Sequence, residues 1–132
     1  MPTEEQIATA VKTALDTALS SYGATAGAVK ALDYDEAQGV TLEHVQVSAA
    51  RRFAEVKRAG VAAQSPWRLQ TRPVGNTVTN TRNIHQRVFI ALSGVRITAD
   101  GQTSTPLDME SADDIGPDDG KFSGLTTWTF TF

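Results

Sequence analysis

Hydrophobic and polar residues alternate most regularly at the C-terminal end of the chain. Trp128, Phe130 and Phe132 alternate there with threonines at positions 127, 129 and 131. A period of two residues, built from aromatic and β-branched side chains, is typical of a half-buried β-strand. Three large aromatic side chains on one face need a covering layer, so we predict that they belong to the core. Glycine, proline and aspartate make up residues 116–120 and predict a turn before this strand.

Two central stretches, residues 43–53 and 66–74, alternate with the same period and predict two further strands. In the second stretch, Trp67 and Leu69 share the face that we assign to the core. The connection between the two, residues 54–65, has no clear period, and long connections in compact domains are often functional. We therefore predict a hairpin whose long connection is a docking loop.

Residues 3–22 repeat their apolar positions with the period of an α-helix. A capping box formed by Thr3 and Gln6 predicts where this helix begins, and Gly23 predicts where it ends. The small apolar residues that follow predict a weak strand within residues 24–32, before an acidic turn.

A second helical period follows the two predicted strands. It begins after Asn76, a good N-cap residue, continues to about Leu92 and stops at Gly94. His85 falls on its apolar arc, where we interpret it as a buried or interfacial histidine rather than a ligand. Ile90 stands alone on the polar face, where a single exposed apolar side chain needs no explanation but also suits a subunit contact.

Beyond this helix, Asp100 and Gly101 form a two-residue hairpin signal between residues 95–99 and 103–110. Pro106 in the second of these stretches predicts an edge strand or a bulge. Runs of antiparallel strands combined with two helices are typical of the α+β class. We predict one domain over the whole chain, with a single antiparallel β-sheet and two α-helices packed on one face.

The chain of 132 residues is long enough for one domain with a substantial core. It contains no cysteine, which excludes a disulfide framework, a thiolate metal site and a cysteine nucleophile. Its N-terminus lacks the pattern of a signal peptide, and no apolar run reaches the ~20 residues that a membrane-spanning helix needs. We therefore expect a protein that is made in a cytoplasm and has no membrane partner.

Charge is distributed in three blocks along the sequence. Residues 1–50 carry two lysines against seven carboxylates, and residues 97–132 carry one lysine against seven carboxylates. Residues 51–96 hold all eight arginines and one lysine against a single glutamate. These charges either cancel within one fold or form flanks that are complementary between copies in a head-to-tail ring. A nucleic-acid site is a third interpretation, which the scarcity of aromatic residues among the arginines disfavours.

The sequence holds no pattern that indicates an active site. Its two histidines, His44 and His85, lie on different predicted elements, and no phosphate-binding loop or nucleophile elbow occurs. The carboxylates within residues 113–119 have the chemistry to bind a divalent cation, so a small metal-dependent enzyme stays open as an alternative. Carboxylates in a turn rich in glycine and proline are more often solvated, and we predict no enzyme, no metal and no cofactor.

The run GPDDGKFSGLTTWTF at residues 116–130 resembles the closing segment of tail terminator (tail completion) proteins from long-tailed phages of Actinobacteria. Three earlier stretches agree with that family in order: residues 47–53, which end in Arg-Arg-Phe, residues 67–75 (WRLQTRPVG) and residues 80–92. The Ser-Thr-Pro-Leu run at residues 104–107 is similar to a strand of the family. Together these stretches extend over about residues 45–132.

The resemblance implies a structural virion protein without catalytic residues. Such proteins form a hexameric ring on the finished tail tube, stop its growth and dock to the head connector, while DNA passes through the ring without sequence readout. The implied partners are further copies of the chain, the major tail tube protein and a head-completion or connector protein. The implied location is the neck region of a virion tail that is assembled in the host cytoplasm. A neighbouring connector protein of the neck stays open as an alternative.

We predict the residues of these contacts from their charge. For the basic side of a subunit interface we expect Arg51, Arg52, Arg68, Arg72, Arg82 and Arg87. For the acidic side we expect Asp113, Asp114, Asp118 and Asp119, the same carboxylates that the metal-dependent alternative uses. For contact with the tail tube or the connector, the candidates in the docking loop are Lys57 and Arg58.

Overall fold

The computed structural model describes residues 2–20, 29–33, 35–38, 42–51 and 66–132. Over these residues the chain forms two α-helices and nine β-strands, and the predicted α+β class is confirmed. The helices are α1 (Glu4–Leu19) and α2 (Val78–Leu92). The strands are β1 (Lys30–Asp33), β2 (His44–Arg51), β3 (Pro66–Gly75), β4 (Thr98–Ala99), β5 (Gln102–Thr103), β6 (Asp108–Ala112), β7 (Gly116–Asp118), β8 (Lys121–Ser123) and β9 (Thr126–Thr131).

The main sheet has seven strands and is built around β3. One edge of β3 pairs with β2 in the predicted hairpin, from His44 opposite Val74 to Arg51 opposite Trp67. The other edge pairs with β9 along most of its length and with β8 at its C-terminal end. β6 then pairs with β9, and β7 pairs with β8. All these pairs are antiparallel, whereas β1 runs parallel to β2, so the sheet is mixed.

A separate two-stranded ladder joins β4 to β5. Asp100 and Gly101 close it with φ values of 51° and 71°. Two positive φ values in succession are typical of a type I′ turn, whose twist matches that of a hairpin. The hairpin predicted from Asp100 and Gly101 is therefore confirmed. The predicted strand over residues 103–110 is confirmed only at its two ends, because β5 ends at Thr103 and β6 begins at Asp108.

The residues between β5 and β6 connect the small ladder to the main sheet. Ser104 and Leu107 are buried, and the Ser104 Oγ accepts a hydrogen bond from the backbone N–H of Ile97 at 2.9 Å. The Thr105 Oγ1 accepts from the backbone N–H of Thr131 at 2.9 Å, next to a backbone bond from Thr105 back to Thr131 at 2.8 Å. This stretch is therefore fixed to the end of β9 by its own side chains, although it is not a strand.

The core lies between the two helices and one face of the sheet. Trp67, Leu69 and Trp128 are fully buried on that face, as their period of two predicts. Phe130 is also buried and lies parallel to Trp67 with ring centroids 6.4 Å apart, whereas Phe132 is only partly buried and meets both rings edge-on. The helices contribute their apolar arcs to the same cluster, namely Ile7, Val11, Leu15, Leu19, Ile84, Val88 and Leu92.

The ends of the helices follow local capping chemistry. Both hydrogen bonds of the predicted capping box between Thr3 and Gln6 are present, which confirms the start of α1. Within the described residues α1 ends at Leu19 with Ser20 as its C-cap, and the predicted end at Gly23 lies outside them. The prediction of Asn76 as the N-cap of α2 is wrong, because Thr77 is the residue whose side chain accepts from the backbone N–H of Asn80, at 3.0 Å.

Asn76 has a different role, which explains the displaced cap. Its backbone N–H donates to the Glu43 carboxylate at 2.9 Å, and its side-chain oxygen accepts from the Lys121 ammonium at 2.7 Å. Both partners come from distant parts of the sequence. A propensity for capping therefore identified the right place in the chain, but tertiary contacts shifted the cap by one residue.

The segment before β9 is a hairpin, and the turn in it is shorter than the predicted turn over residues 116–120. Residues 116–118 are β7, and the turn is confined to the last two residues of the predicted stretch, Asp119 and Gly120, with φ values of 50° and 80°. β8 then returns antiparallel to β7. Asp and Gly accept positive φ at low cost, which places the turn at this pair although the proline stands earlier.

Lys12 links α1 to β1 and to the turn that follows β1. Its ammonium donates to the Asp33 carboxylate at 2.7 Å and to the Glu36 carboxylate at 3.2 Å. Asp16 of the same helix accepts from the backbone N–H of Ala31 at 2.7 Å. The hydrogen bond to Asp33 raises the pKa of Lys12, and the hydrogen bond from the Asp33 backbone N–H, together with Lys12, lowers the pKa of Glu36.

This link predicts how stability responds to pH. Because the folded-state pKa of Glu36 lies below its ordinary 4.5, its contribution is complete above pH 4.5 and is lost as the pH falls through the lowered pKa. The folded-state pKa of Lys12 lies above 10.5, so its contribution is complete below pH 10.5 and is lost as the pH rises through the raised pKa. At pH 7 the melting temperature of Lys12→Met should be a few degrees lower than that of the wild type. Between pH 7 and pH 3 its melting temperature should fall by less than that of the wild type.

The matched control is Thr9→Ala, which changes an exposed position of α1 away from the link. It should keep the pH response of the wild-type chain. The same pH response in Lys12→Met and in the wild type would contradict the role of this link.

Candidate interaction surfaces

The face of the sheet opposite the helices is polar. Neither helix lies on it, because the buried residues of both helices join the core on the other side. Its side chains come from alternate positions of β2, β3 and β9: Gln46, Ser48, Arg68, Gln70, Arg72, Thr127 and Thr129. Two of the predicted basic interface residues, Arg68 and Arg72, therefore lie on this polar sheet face.

Arg72 is partly neutralised within its own chain. Its guanidinium donates to the Ser123 Oγ at 3.3 Å and lies 4.0 Å from the Asp118 carboxylate. The Ser123 hydroxyl in turn donates to Asp118 at 2.9 Å. The structure thus brings together one predicted basic residue and one predicted acidic residue of the interface, and the two face each other in a single copy.

Arg51 and Arg68 are held by packing more than by charge. The Arg51 guanidinium lies 4.9 Å from the centre of the Trp67 ring, at a distance typical of a cation–π contact. The residue pairs with Trp67 across β2 and β3. Arg68 is half-buried, and its buried Nε has no hydrogen-bond partner among the described residues. These two arginines contribute less free charge to the surface than their number in the sequence suggests.

A depression beside α2 brings together residues from the basic and the acidic blocks. It is lined by Arg82, His85, Asp113, Asp114, Ile115 and Gly124. The acidic pair lies in the connection between β6 and β7, and Arg82 is exposed on the first half of α2. The depression therefore places a residue of the basic block near two residues of the acidic block on the same copy.

His85 is half-buried at the edge of this depression. Its Nδ1 lies 3.4 Å from the Thr126 Oγ1, and burial lowers its pKa. A β-carbon added at Gly124 would lie 3.1 Å from the carbonyl oxygen of Asp113 and 3.4 Å from that of Asp114. Close packing of the backbone at Gly124 therefore fixes the acidic connection against β9, near the histidine.

A groove between α1 and α2 opens on the side of the helices that faces away from the sheet. Ile90 lies in it with 68% of its surface exposed. We call this surface the helix groove, and its lining residues are Ala18, Asn83, Gln86, Arg87, Ile90 and Ala91. The sequence pattern identified Ile90 as an exposed apolar residue, but it did not show the two alanines that extend the apolar surface around it.

The opposite kind of surface runs along β6. All five of its residues are exposed, and so are Asp113 and Asp114 after it. We call residues 108–114 the acidic edge, because they hold four carboxylates and no lysine or arginine. Met109 is 44% exposed in the middle of β6. The sequence pattern did not single out Met109 and Glu110, although both fall within the predicted edge strand over residues 103–110.

The predicted site residues are therefore divided among several surfaces. Of the predicted docking and interface residues, Arg52, Lys57 and Arg58 lie outside the described residues. Asp119 lies on the tight turn between β7 and β8, next to Asp118. Within the described part of the chain, no three histidine, cysteine, aspartate or glutamate side chains are placed to hold a metal ion.

Neither helix in the described ranges is long and apolar enough to cross a membrane. Compared with models of known protein families and with curated protein sequences, the chain matches none of them.

Proposed function

We propose that this chain is a structural virion protein of the tail terminator class. It forms a ring at the head-proximal end of a phage tail tube, ends polymerisation of the tube and provides the surface to which the head connector docks. The resemblance at residues 116–130 supports this proposal, because those residues build the β7–β8 hairpin and the β9 strand that completes the core. The ring of six copies and the two neighbouring partners come from the resemblance.

The observation that carries the proposal is the division of surface charge between two elements, since carboxylates are concentrated on β6 and arginines on α2. The acidic edge presents four carboxylates without a lysine or an arginine. Helix α2 carries two exposed arginines, Arg82 and Arg87, and no carboxylate of its own, and Arg82 also lines the depression that holds Asp113 and Asp114. A fold with unlike surfaces of opposite charge is suited to head-to-tail association of identical copies, and such association closes into a ring when the rotation between copies allows it.

Deletion of the gene from the phage that encodes the chain tests this function. We expect electron microscopy to show overlong tails without heads, because tube growth would no longer be stopped. Expression of the wild-type chain in trans should restore tails of normal length, which excludes an effect on neighbouring genes. Tails of normal length that fail to join heads would instead favour the connector alternative, and complete particles would contradict both.

A further inference from the structure

Strand β1 is the outermost described strand at one side of the main sheet. It pairs with β2, and no other described strand pairs with it. An outermost strand presents backbone N–H and C=O groups on its outer edge, where they can pair with a strand of another copy. The hydrogen-bond partners of these groups therefore decide whether the sheet can be extended at β1.

The outer edge of β1 carries the backbone groups of Ala31 and Asp33. The N–H of Ala31 donates to the Asp16 carboxylate at 2.7 Å, and the N–H of Asp33 donates to the Glu36 carboxylate at 3.0 Å. Along a parallel strand, residues whose backbone groups bond to the neighbouring strand alternate with residues whose groups point away from it. Because Ala31 and Asp33 are two residues apart and both donate to side chains, they face away from β2.

A third backbone group of this edge is also occupied. The carbonyl oxygen of Asp33 accepts a hydrogen bond from the backbone N–H of Ala37 at 3.0 Å. The Lys12 ammonium donates to the carboxylates of Asp33 and Glu36, at 2.7 Å and 3.2 Å, and so holds Glu36 beside the strand. The two N–H groups that an incoming strand would need are therefore already bonded within the chain.

The other outermost strands of the sheet are protected by their own sequences. In β6 the register shifts between Met109 and Ser111, and Asp108 and Glu110 are exposed. β7 has only three residues and contains Pro117, which has no N–H. Bulges, charges and proline are features by which natural sheets prevent pairing at an edge. β1 has a regular register and neither a bulge nor a proline, so its protection has to come from other parts of the chain.

We infer that Asp16 and Glu36 close the outer edge of β1 against strand addition by a second copy of the chain. Asp16 reaches the edge from α1, and Glu36 reaches it from the turn after β1. The strand that they exclude is β1 of another copy, because two such edges are complementary to each other about a two-fold axis. This block is separate from the ring contact of the proposed function and does not depend on it.

The geometry of β1 predicts where two unblocked copies would meet. With outward groups at Ala31 and Asp33, an antiparallel pair bonds Ala31 of each copy to Asp33 of the other. Leu32 then lies opposite Leu32 of the other copy in a non-hydrogen-bonded pair, whose Cα atoms are about 4.5 Å apart. This separation lies within the range that a disulfide spans.

Disulfide cross-linking through Leu32→Cys tests the block, because the natural chain has no cysteine and therefore no background reaction. One chain carries Leu32→Cys alone, and a second chain also carries Asp16→Ala and Glu36→Ala. After oxidation at equal concentration, we expect at least about tenfold more cross-linked dimer from the second chain, because its N–H groups on the outer edge have lost their acceptors. Mass spectrometry of the peptides identifies the linked position.

Asp16→Asn and Glu36→Gln separate the hydrogen bonds from the charge. Amide side chains keep an acceptor oxygen without a negative charge, so this pair should give at most about twofold the dimer of the natural carboxylates. A yield as high as that of the alanine pair would overturn the inference, because repulsion between carboxylates would then protect the edge. The matched control is Asp35→Ala, an exposed carboxylate of the same turn that caps neither N–H group, and it should leave the yield unchanged.

Circular dichroism must show that each variant is folded. Loss of Asp16 also weakens the link between α1 and β1, so Glu36→Ala alone provides a second test at an exposed position of the turn. It frees the N–H of Asp33 and should raise the yield at least about threefold. A folded Glu36→Ala chain that cross-links no more than the natural carboxylates would overturn the inference. Dimers of the alanine pair that are not linked at Leu32 would also overturn it, because they would form through another surface.

Discussion

Trp128→Ala should reduce the free energy of unfolding by about 4 kcal/mol, because it removes the largest kind of side chain from the centre of the core. Trp128 is fully buried, pairs with Leu69 across the sheet, and has its ring centroid 6.1 Å from that of Phe89 on α2. Its indole N–H also donates to the Thr71 Oγ1 at 3.1 Å. Urea unfolding measures the effect, and the melting temperature should fall by about 10–20 °C.

Two further substitutions separate the loss of apolar volume from the loss of the hydrogen bond to Thr71. Trp128→Phe keeps most of the apolar volume but leaves the Thr71 hydroxyl without its donor, so a smaller loss of about 1–2 kcal/mol is expected. Thr129→Ala changes the next residue, whose side chain lies on the polar face of the sheet, and should stay within about 0.5 kcal/mol of the wild type. Equal losses of unfolding free energy for Thr129→Ala and Trp128→Ala would show that β9 does not cover the core with its Trp128 face.

Much of this fold is predictable because its strands are amphipathic in the simplest way. The alternation around Trp67 and Trp128 assigns the core face of β3 and β9 correctly, and the capping box at Thr3 places the start of α1. The period of a strand is two residues and that of a helix is 3.6 residues, and both are properties of the local sequence. Such a period can be recognised when one face of the element is buried and therefore apolar. The antiparallel pairing of β2 with β3 then follows from the hairpin.

Other parts of the fold depend on partners that are distant in sequence. The parallel pairing of β1 is supported by Lys12 and Asp16 on α1, which no local pattern of β1 indicates. The cap of α2 moves from Asn76 to Thr77 because Glu43 and Lys121 hold Asn76 in another role. Short strands such as β7 and β8 have too few residues for a period, so their positions are set by the turn between them.

The candidate surfaces are likewise predictable only in part, because they depend on contacts between residues that are distant in sequence. The sequence gives the total charge of each block, but not the neighbours of each charge in space. Arg72 meets Asp118 and Arg51 lies over Trp67, so these charges are partly used within one copy. The acidic edge becomes visible only when exposure is known, because Met109 is an ordinary core residue by type, whereas the helical pattern already places Ile90 on the polar face of α2.

The position of α2, and with it that of the helix groove, depends on a close approach at Gly75. A β-carbon added there would lie 2.5 Å from the Thr81 Oγ1 and 2.9 Å from the Thr81 backbone nitrogen. The same hydroxyl donates to the carbonyl oxygens of Thr77 at 2.8 Å and Phe122 at 3.2 Å. The first turn of α2 is therefore bonded to β8 and packed directly on the end of β3, with no room for a side chain between them.

Gly75→Ala should accordingly destabilise the chain by about 2–4 kcal/mol, because backbone atoms of α2 would have to move and the hydrogen bonds of Thr81 would be strained. Gly116→Ala is the matched control, since an added β-carbon there has no atom within 4 Å, and it should change stability by less than about 0.5 kcal/mol. Urea unfolding compares the two variants, and equal effects would contradict the close approach.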